Sequence, residues 1–380
     1  MSLLDTERVG VRRPAFRTGP RSQRTRGEDA VDRADLAGLV LDDWQQDVLE
    51  DALAVRADGK WAAFEVGVVV PRQNGKGAIL EALELHALFR EPDCRLILHS
   101  AHEFKTAKEA FRRIVGLIDA SPKLKKQARV RYTTGEEGVE LDDGSRLKFV
   151  ARSSGSGRGF SGDLVILDEA YNLSDDMMAA LLPTMSARPN PQLWYTSSAP
   201  LPRLESDVLR RLCKRGRSAG SAGFSYFEWC ARDVDPLDDR EAWARANPGL
   251  GIRISDEFIE RELEALDPAA FGRERLGIWS EEELSERIIP AEAWAACQDP
   301  ESAPVGGALS FALDVPPDRA WASIGVAAKS GREGVHVELI DRRPGTAWLP
   351  ARAAEVQGRW GGRLAVAKGS PAWSLKQELD

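Results

Sequence analysis

Val66-Gly-Val-Val-Val70 runs into Pro71-Arg-Gln-Asn-Gly-Lys76, and beyond Gly77 the chain continues Ala78-Ile-Leu-Glu-Ala-Leu83. An apolar run rich in valine, a polar turn closing on Gly-Lys and an apolar helical pattern read as a strand delivering a phosphate loop onto a helix. Such a loop works because successive backbone N–H groups surround anionic oxygens, the helix presents its positive end, and a lysine reaches the outer phosphates. Lys76 has that place, Gly75 permits close backbone approach, and Arg72, Gln73 and Asn74 complete the turn. Two positions depart from the usual pattern. Val70 stands at the first glycine, and Gly77 replaces the Ser or Thr whose hydroxyl meets magnesium.

Asp163-Leu-Val-Ile-Leu-Asp168-Glu169-Ala170 supplies the partner motif, an apolar strand ending in paired acids. If this strand adjoins the loop, Asp168 holds Mg2+ through water and Glu169 polarises the water that attacks the nucleotide. With glycine at 77, the metal then relies on Asp168, water and nucleotide oxygens. Arg72 has two readings: an arginine finger acting in cis on the outer phosphate, or a salt bridge or DNA-phosphate contact. Trp44-Gln45-Gln46 offers an adenine-facing amide or ordinary helix contacts. Tyr195-Thr196-Ser197-Ser198 follows another apolar strand, where hydroxyls either sense the nucleotide state or merely close a strand-to-turn transition. ATP hydrolysis is the chemistry these segments share.

Around them, apolar strands alternate with helical stretches up to about residue 200, which predicts a largely parallel sheet covered by helices. Val139-Glu-Leu141 and Leu147–Val150, joined by Asp142-Asp-Gly-Ser145, read as a hairpin. Residues 1–38 are polar, arginine-rich and aperiodic, and read as an arm. Residues 39–220 form the ATPase domain, 221–285 a helical linker or lid with a cap at Ser255, 286–307 a linker, and 308–380 a second, shorter domain. With 380 residues the chain can hold two or three domains, and no apolar run approaches the length of about 20 that spans a bilayer. The opening Met1–Arg8 lacks the apolar stretch of a secretion signal, so an intracellular protein without membrane contact is expected. The 4 cysteines carry no CxxC spacing and complete no zinc pattern with the 4 histidines, so they read as buried or incidental thiols. A net charge of -8 disfavours indiscriminate nucleic-acid coating, but arginines cluster at Arg8–Arg26 and Arg203–Arg217. Either cluster is a solvated surface or a set of phosphate contacts.

Taken together, these segments resemble the large terminase subunit of tailed double-stranded DNA bacteriophages, in its HK97-like branch. The resemblance runs from about Leu41 to the carboxyl terminus. It rests on Pro71–Gly77, Ser154-Gly-Ser-Gly-Arg-Gly-Phe-Ser-Gly162 leading into Asp163–Ala170, Thr196-Ser-Ser198, Trp243-Ala-Arg-Ala-Asn-Pro248 and Phe271-Gly-Arg-Glu-Arg-Leu-Gly-Ile-Trp279. It implies an α/β fold: an ASCE P-loop ATPase core with a helical linker or lid, followed by an incomplete RNase H-like nuclease domain. It also implies a motor that translocates viral double-stranded DNA into procapsids, with ATP and Mg2+. The implied partners are the portal protein, the small terminase subunit and a homo-pentamer on the portal, in the bacterial host cytoplasm and transiently at the portal vertex. By register, Gln45 joins Arg72, Gln73, Asn74, Gly75, Lys76 and Gly77 as ATP-binding, Glu169 and Arg72 are catalytic, Asp168 is metal-associated, and Thr196, Ser197 and Ser198 couple hydrolysis to DNA.

The family's nuclease uses Mg2+ or Mn2+ held by several acids. Asp314 matches the first of them, at the end of Leu309-Ser-Phe-Ala-Leu313. The second is expected in Asp-Pro-x-Ser-Pro-Ala, but here the segment reads Ala367-Lys-Gly-Ser-Pro-Ala372, and the chain ends at Asp380 before a later acid. The chain is therefore predicted to lack nuclease activity, with Asp314 a remnant. Two rival readings stand beside the packaging motor: a helicase or DNA-remodelling ATPase, and a nonenzymatic adaptor docking a portal or small terminase partner.

Overall fold

The computed structural model describes residues 8–20, 22–133, 135–152, 162–200, 207–218, 222–279, 291–305, 309–317, 319–331 and 334–375. Parts of the segments named above, among them Arg21, Ser154–Ser161, Arg203, residues 280–290 and 306–308 and the tail to Asp380, lie outside these residues. The chain forms two compact units, Met1–Glu286 and Arg287–Asp380.

The first unit is built on a 9-stranded sheet in the order β1-β9-β2-β8-β7-β3-β6-β5-β4. Its strands are β1 (Phe16–Thr18), β2 (Glu65–Val69), β3 (Leu96–Ala101), β4 (Ala128–Arg131), β5 (Gly138–Leu141), β6 (Arg146–Ala151), β7 (Leu164–Leu167), β8 (Gln192–Ser197) and β9 (Phe224–Glu228). The central strands β9, β2, β8, β7, β3 and β6 run parallel, so their carboxyl ends share one edge. The hairpin β5–β6 is antiparallel, and β6 itself pairs with β3. Being covered on both faces, these strands are nearly continuous apolar runs rather than alternating ones. Val66, Val68, Ile97, Ile166 and Trp194 enter the core on one face, and Val69, Leu98, Val165, Leu167 and Tyr195 the core on the other.

The acid-bearing strand does not adjoin the loop strand. Strand β8 stands between β2 and β7, so the carboxyl end that carries Thr196 lies between the loop and the acids.

Two boundaries expected from sequence shift. Much of the arm 1–38 is packed. β1 pairs with β9 on one sheet edge, while α1 (Gly27–Leu36) buries Ala30 and Ala34 against α2 (Asp43–Ala52) and α3 (Lys76–Arg90). Among its arginines, Arg12 meets Asp43 and Asp47, Arg17 meets Asp51, and Arg26 meets Glu91. The helical segment also does not begin at 221. Phe224-Ser-Tyr-Phe-Glu228 is wholly buried as β9, because its aromatic rings fill the sheet core. The helices before it are α4 (Phe104–Ala120), α5 (Pro122–Lys125), α6 (Asp175–Met185) and α7 (Asp207–Arg217). Helices of the lid segment follow β9 as α8 (Arg240–Ala246), α9 (Asp256–Ala265) and α10 (Pro268–Leu276). Asp239, Ser255 and Asp267 cap their amino ends, and Trp243, Leu250, Ile259, Phe271 and Leu276 give them a core of their own.

The second unit is a 4-stranded sheet, β10 (Ser310–Asp314), β11 (Trp321–Lys329), β12 (Val335–Pro344) and β13 (Arg363–Val366), in the order β12-β11-β10-β13. β10 and β13 are parallel, and the helix Leu349–Trp360 makes the crossover between β12 and β13. No helix among the described residues is long and apolar enough to cross a membrane.

Candidate active site

The loop leaves β2 at Val70, whose N–H donates to the Ser197 carbonyl of β8, and enters α3 at Lys76. Gln73 and Gly75 both adopt positive φ, 65° and 98°, which folds the turn tightly onto the helix's amino end. The first turn of a helix leaves N–H groups outside its own hydrogen-bond ladder, and here they face the loop.

Two flanking elements hold that shape. Gln45 on α2 accepts from the Asp42 N–H and donates 2.8 Å to the Gly75 carbonyl. Fully buried and with both ends of its amide engaged, Gln45 braces the loop in this structure. From the lid segment, Asn247 Oδ1 accepts 3.0 Å from Asn74 Nδ2, and the Gly249 N–H donates 2.9 Å to Asn74 Oδ1. Arg275, paired with Glu262, donates to the Arg72 carbonyl at 3.3 Å. Asn74 is thus a buried bolt between loop and lid, while Gln73 lies exposed at the mouth of an open cleft of about 1090 Å³ that is also lined by Arg253 and Ser255. Arg72 is half exposed, and its guanidinium pairs with Glu274 of α10 at 2.7 Å. In this state the arm of Arg72 is taken by a salt bridge, the second of its two readings.

Across the sheet edge the acids meet the lysine. Lys76 Nζ lies 3.6 Å from Glu169 Oε1. Asp168 Oδ1 accepts 2.5 Å from Thr196 Oγ1, and the Ala170 N–H donates to the Thr196 carbonyl at 2.9 Å. Ser197 and Ser198 are buried beside it, so Thr196–Ser198 touches both loop and acids. Glu169 has a φ of 55°, a strained backbone for a residue with a side chain. Arg152 holds it there, donating to the carbonyls of Ser100, Asp168 and Glu169 at 2.8, 2.7 and 2.8 Å. Burial pushes the Arg152 pKa down to about 10, and burial followed by the neighbouring Glu169 pushes the Tyr171 hydroxyl up to about 12.

Behind Asp168 lies a pair that the sequence did not single out. His99 Nδ1 contacts Glu84 Oε1 at 2.5 Å, with both residues buried, and His99 Nε2 stands 3.9 Å from Asp168 Oδ2. Burial pushes the Glu84 carboxyl above its ordinary range. For His99 burial works the other way, but Glu84 and then Asp168 outweigh it, and its pKa rises. His99 and Glu84 look from sequence like polar breaks in an apolar strand and an apolar helix. Only the pairing of β3 with β7 brings them to the acids.

The arginines of α7 are taken up inside the unit. Arg211 pairs with Asp175, Arg215 with Glu65 and Arg217 with the buried Glu228. Of the two readings of that stretch, surface and phosphate contacts, these pairs accord with the first. In the second unit, Leu313 pairs with Val366, so Asp314 and Ala367 are the next residues at the same sheet end. Asp341 lies on β12 and pairs with Arg343 and Arg352. Among the described residues no group of three or more His, Cys, Asp or Glu side chains is arranged to hold a metal ion, and Cys94, Cys213, Cys230 and Cys297 are free thiols.

Among solved structures, the chain is similar to the crystal structure of the HK97 bacteriophage large terminase, with a TM-score of 0.62 at 18% identity over 94% of this chain and 79% of that one. The ATPase domain of the Thermus phage P74-26 large terminase aligns with a TM-score of 0.43 at 15% identity, over 64% of this chain and 95% of that one. No family model and no curated protein matches. The fold is therefore the α/β fold of a large terminase.

Proposed function

We propose that this chain is the ATP-hydrolysing motor subunit that packages viral double-stranded DNA, a terminase large subunit. The observation that carries the reading is the meeting of Lys76 with Glu169 beside the Thr196–Asp168 bond, at the shared carboxyl edge of β2, β8 and β7. An ammonium, helix N–H groups and a carboxylate converge there, as hydrolysis of a nucleoside triphosphate requires.

In this reading the backbone of Gln73–Gly77 and the Lys76 ammonium bind the phosphates. Glu169, its backbone fixed by Arg152, orients a water and takes its proton as the water oxygen bonds to the terminal phosphorus and the bond to the bridging oxygen breaks. The donor set suits magnesium held mostly through water: Asp168 alone supplies a carboxylate, and residue 77 has no hydroxyl. When bound, that ion neutralises charge on the phosphate oxygens. Thr196, between loop and acids, passes the state of the site to the sheet edge, and Asn74 passes it to the lid. Arg72 joins the phosphates only by leaving Glu274.

Double-stranded DNA, a portal, a small terminase subunit, a procapsid and assembly as a homo-pentamer in the host cytoplasm, transiently at the portal vertex, follow from the fold likeness and belong to this proposal. So does the second unit as an RNase H-like domain without nuclease activity, because Ala367 stands beside Asp314 where a second acid is needed.

The test is ATP-dependent protection of DNA from nuclease inside procapsids, measured with the full chain and with Lys76→Ala and Glu169→Gln. Lys76→Ala is expected to lose nucleotide binding. Glu169→Gln should bind but turn over about 100- to 10,000-fold more slowly. ATP turnover unchanged in both variants would remove these residues from the site, and turnover without DNA protection would leave an ATPase that is not a packaging motor.

A further inference from the structure

Gly77 leaves a gap at the second residue of α3, and a side chain from another helix occupies it. A β-carbon built on Gly77 would lie 3.2 Å from Arg113 Nη2, 3.3 Å from Nη1 and 3.5 Å from Cζ. The guanidinium of Arg113, on α4, therefore lies against the place from which the customary hydroxyl side chain would grow. It is seated by Glu81, one turn beyond Gly77 on α3, whose Oε1 lies 3.3 Å from Arg113 Nε. Glu81 is nearly buried, and that oxygen has no hydrogen-bond partner. Arg113 is 54% exposed, so its outer N–H groups stay open to solvent beside the loop.

The chemistry of the two groups differs. A hydroxyl ligates the metal, whereas a guanidinium repels a metal cation and offers a planar fork of donors matched to phosphate oxygens. We propose that Arg113 binds a phosphate of the nucleotide directly from the place of the missing hydroxyl, making nucleotide capture by this loop largely independent of magnesium. Glycine at 77 then gives the arginine room: the β-carbon of a serine there would press on the guanidinium at 3.2–3.3 Å, and the exposed Arg113 side chain would have to give way. This inference rests on the reading of the loop as a nucleotide site and adds to it a phosphate ligand from outside the loop.

The test is titration of the full chain with a fluorescent ATP analogue, in excess Mg2+ and in EDTA. For the unaltered chain the two dissociation constants should agree within about threefold. Arg113→Gln should weaken binding in EDTA by about 10- to 100-fold, the worth of a charge-assisted contact. Because that change strips a nearly buried carboxylate of its partner, the same titration on Arg113→Gln with Glu81→Gln keeps the pair neutral, and an unchanged melting profile certifies the fold. Adding Gly77→Ser to this pair should restore binding in Mg2+ but not in EDTA, while Gly77→Ser alone should weaken binding in both. An EDTA affinity unaltered by the paired substitution would overturn the role of Arg113 and leave the loop reading standing. An unaltered chain that binds no better than Lys76→Ala would overturn the loop reading and this inference with it.

Discussion

Thr196 Oγ1 donates to Asp168 Oδ1 across 2.5 Å, from the strand that separates the loop strand from the acid strand. One hydroxyl thus fixes the rotamer of the Asp168 carboxylate, while the Thr196 carbonyl fixes the backbone just past Glu169. Thr196→Val, which keeps the shape and removes the donor, should lower ATP turnover about 10- to 100-fold and change nucleotide affinity by less than about threefold. Thr196→Ser should recover most of the loss. Equal turnover in threonine and valine forms would show that the bond does nothing for the reaction.

Asn74 gives the second expectation. Its buried amide bonds to Asn247 and Gly249 as well as to the loop's own carbonyls, so Asn74→Ala leaves Asn247 Oδ1 and the Gly249 N–H short of partners. A cost of about 1–3 kcal/mol is expected. It should appear as a lower urea midpoint and as faster proteolysis between α8 and α10. If the variant matches the parent in both, lid and loop are not joined through this side chain.

Glu81 makes stability depend on pH. Burial, then the nearby Glu84, raise its pKa from the ordinary 4.5 to about 7, against the opposing pull of Arg113. The folded chain keeps a proton that the unfolded chain has released, so the stability tied to this group is whole below about pH 4.5. It declines as pH rises and is gone above about 7. At roughly 1.4 kcal/mol per unit the full span is on the order of 3 kcal/mol. Glu81→Gln should therefore match the parent in urea denaturation at pH 4.5 and exceed it at pH 8. A constant difference at both values would contradict the assignment.

For the second unit, purified chain incubated with plasmid and Mn2+ should produce no cutting above background. Cutting that disappears with Asp314→Ala would restore a working nuclease centre to this sheet.

The parallel sheet was readable because its strands are buried on both faces, and runs such as Leu164-Val-Ile-Leu167 have no other home. The caps of the lid helices were readable for a local reason: Ser255 and its first turn lie within a few residues. The amino-terminal segment was not, because β1 is three residues long and α1 buries only small residues, Gly27, Ala30 and Ala34, among charges. A spacing of four between small residues is a faint signal beside so many arginines. Within the site, Asp168 and Glu169 stood out because they follow the end of a strand, and Lys76 because it opens the helix after a strand and a glycine turn. Arg113, Asn247 and the His99–Glu84 pair depend on contacts between elements distant in sequence, which no local pattern announces.

The pairing of β1 with β9 has a practical corollary. Phe224–Glu228 is an aromatic, wholly buried strand, and only the three residues Phe16–Thr18 cover its outer side. Starting expression at Leu39, as the arginine-rich composition invites, would bare a flat ladder of unsatisfied amides and carbonyls beside large rings, the recipe for edge-to-edge self-association. The first residues shield this edge of the sheet, and preparations that keep them should remain monodisperse where shortened ones precipitate.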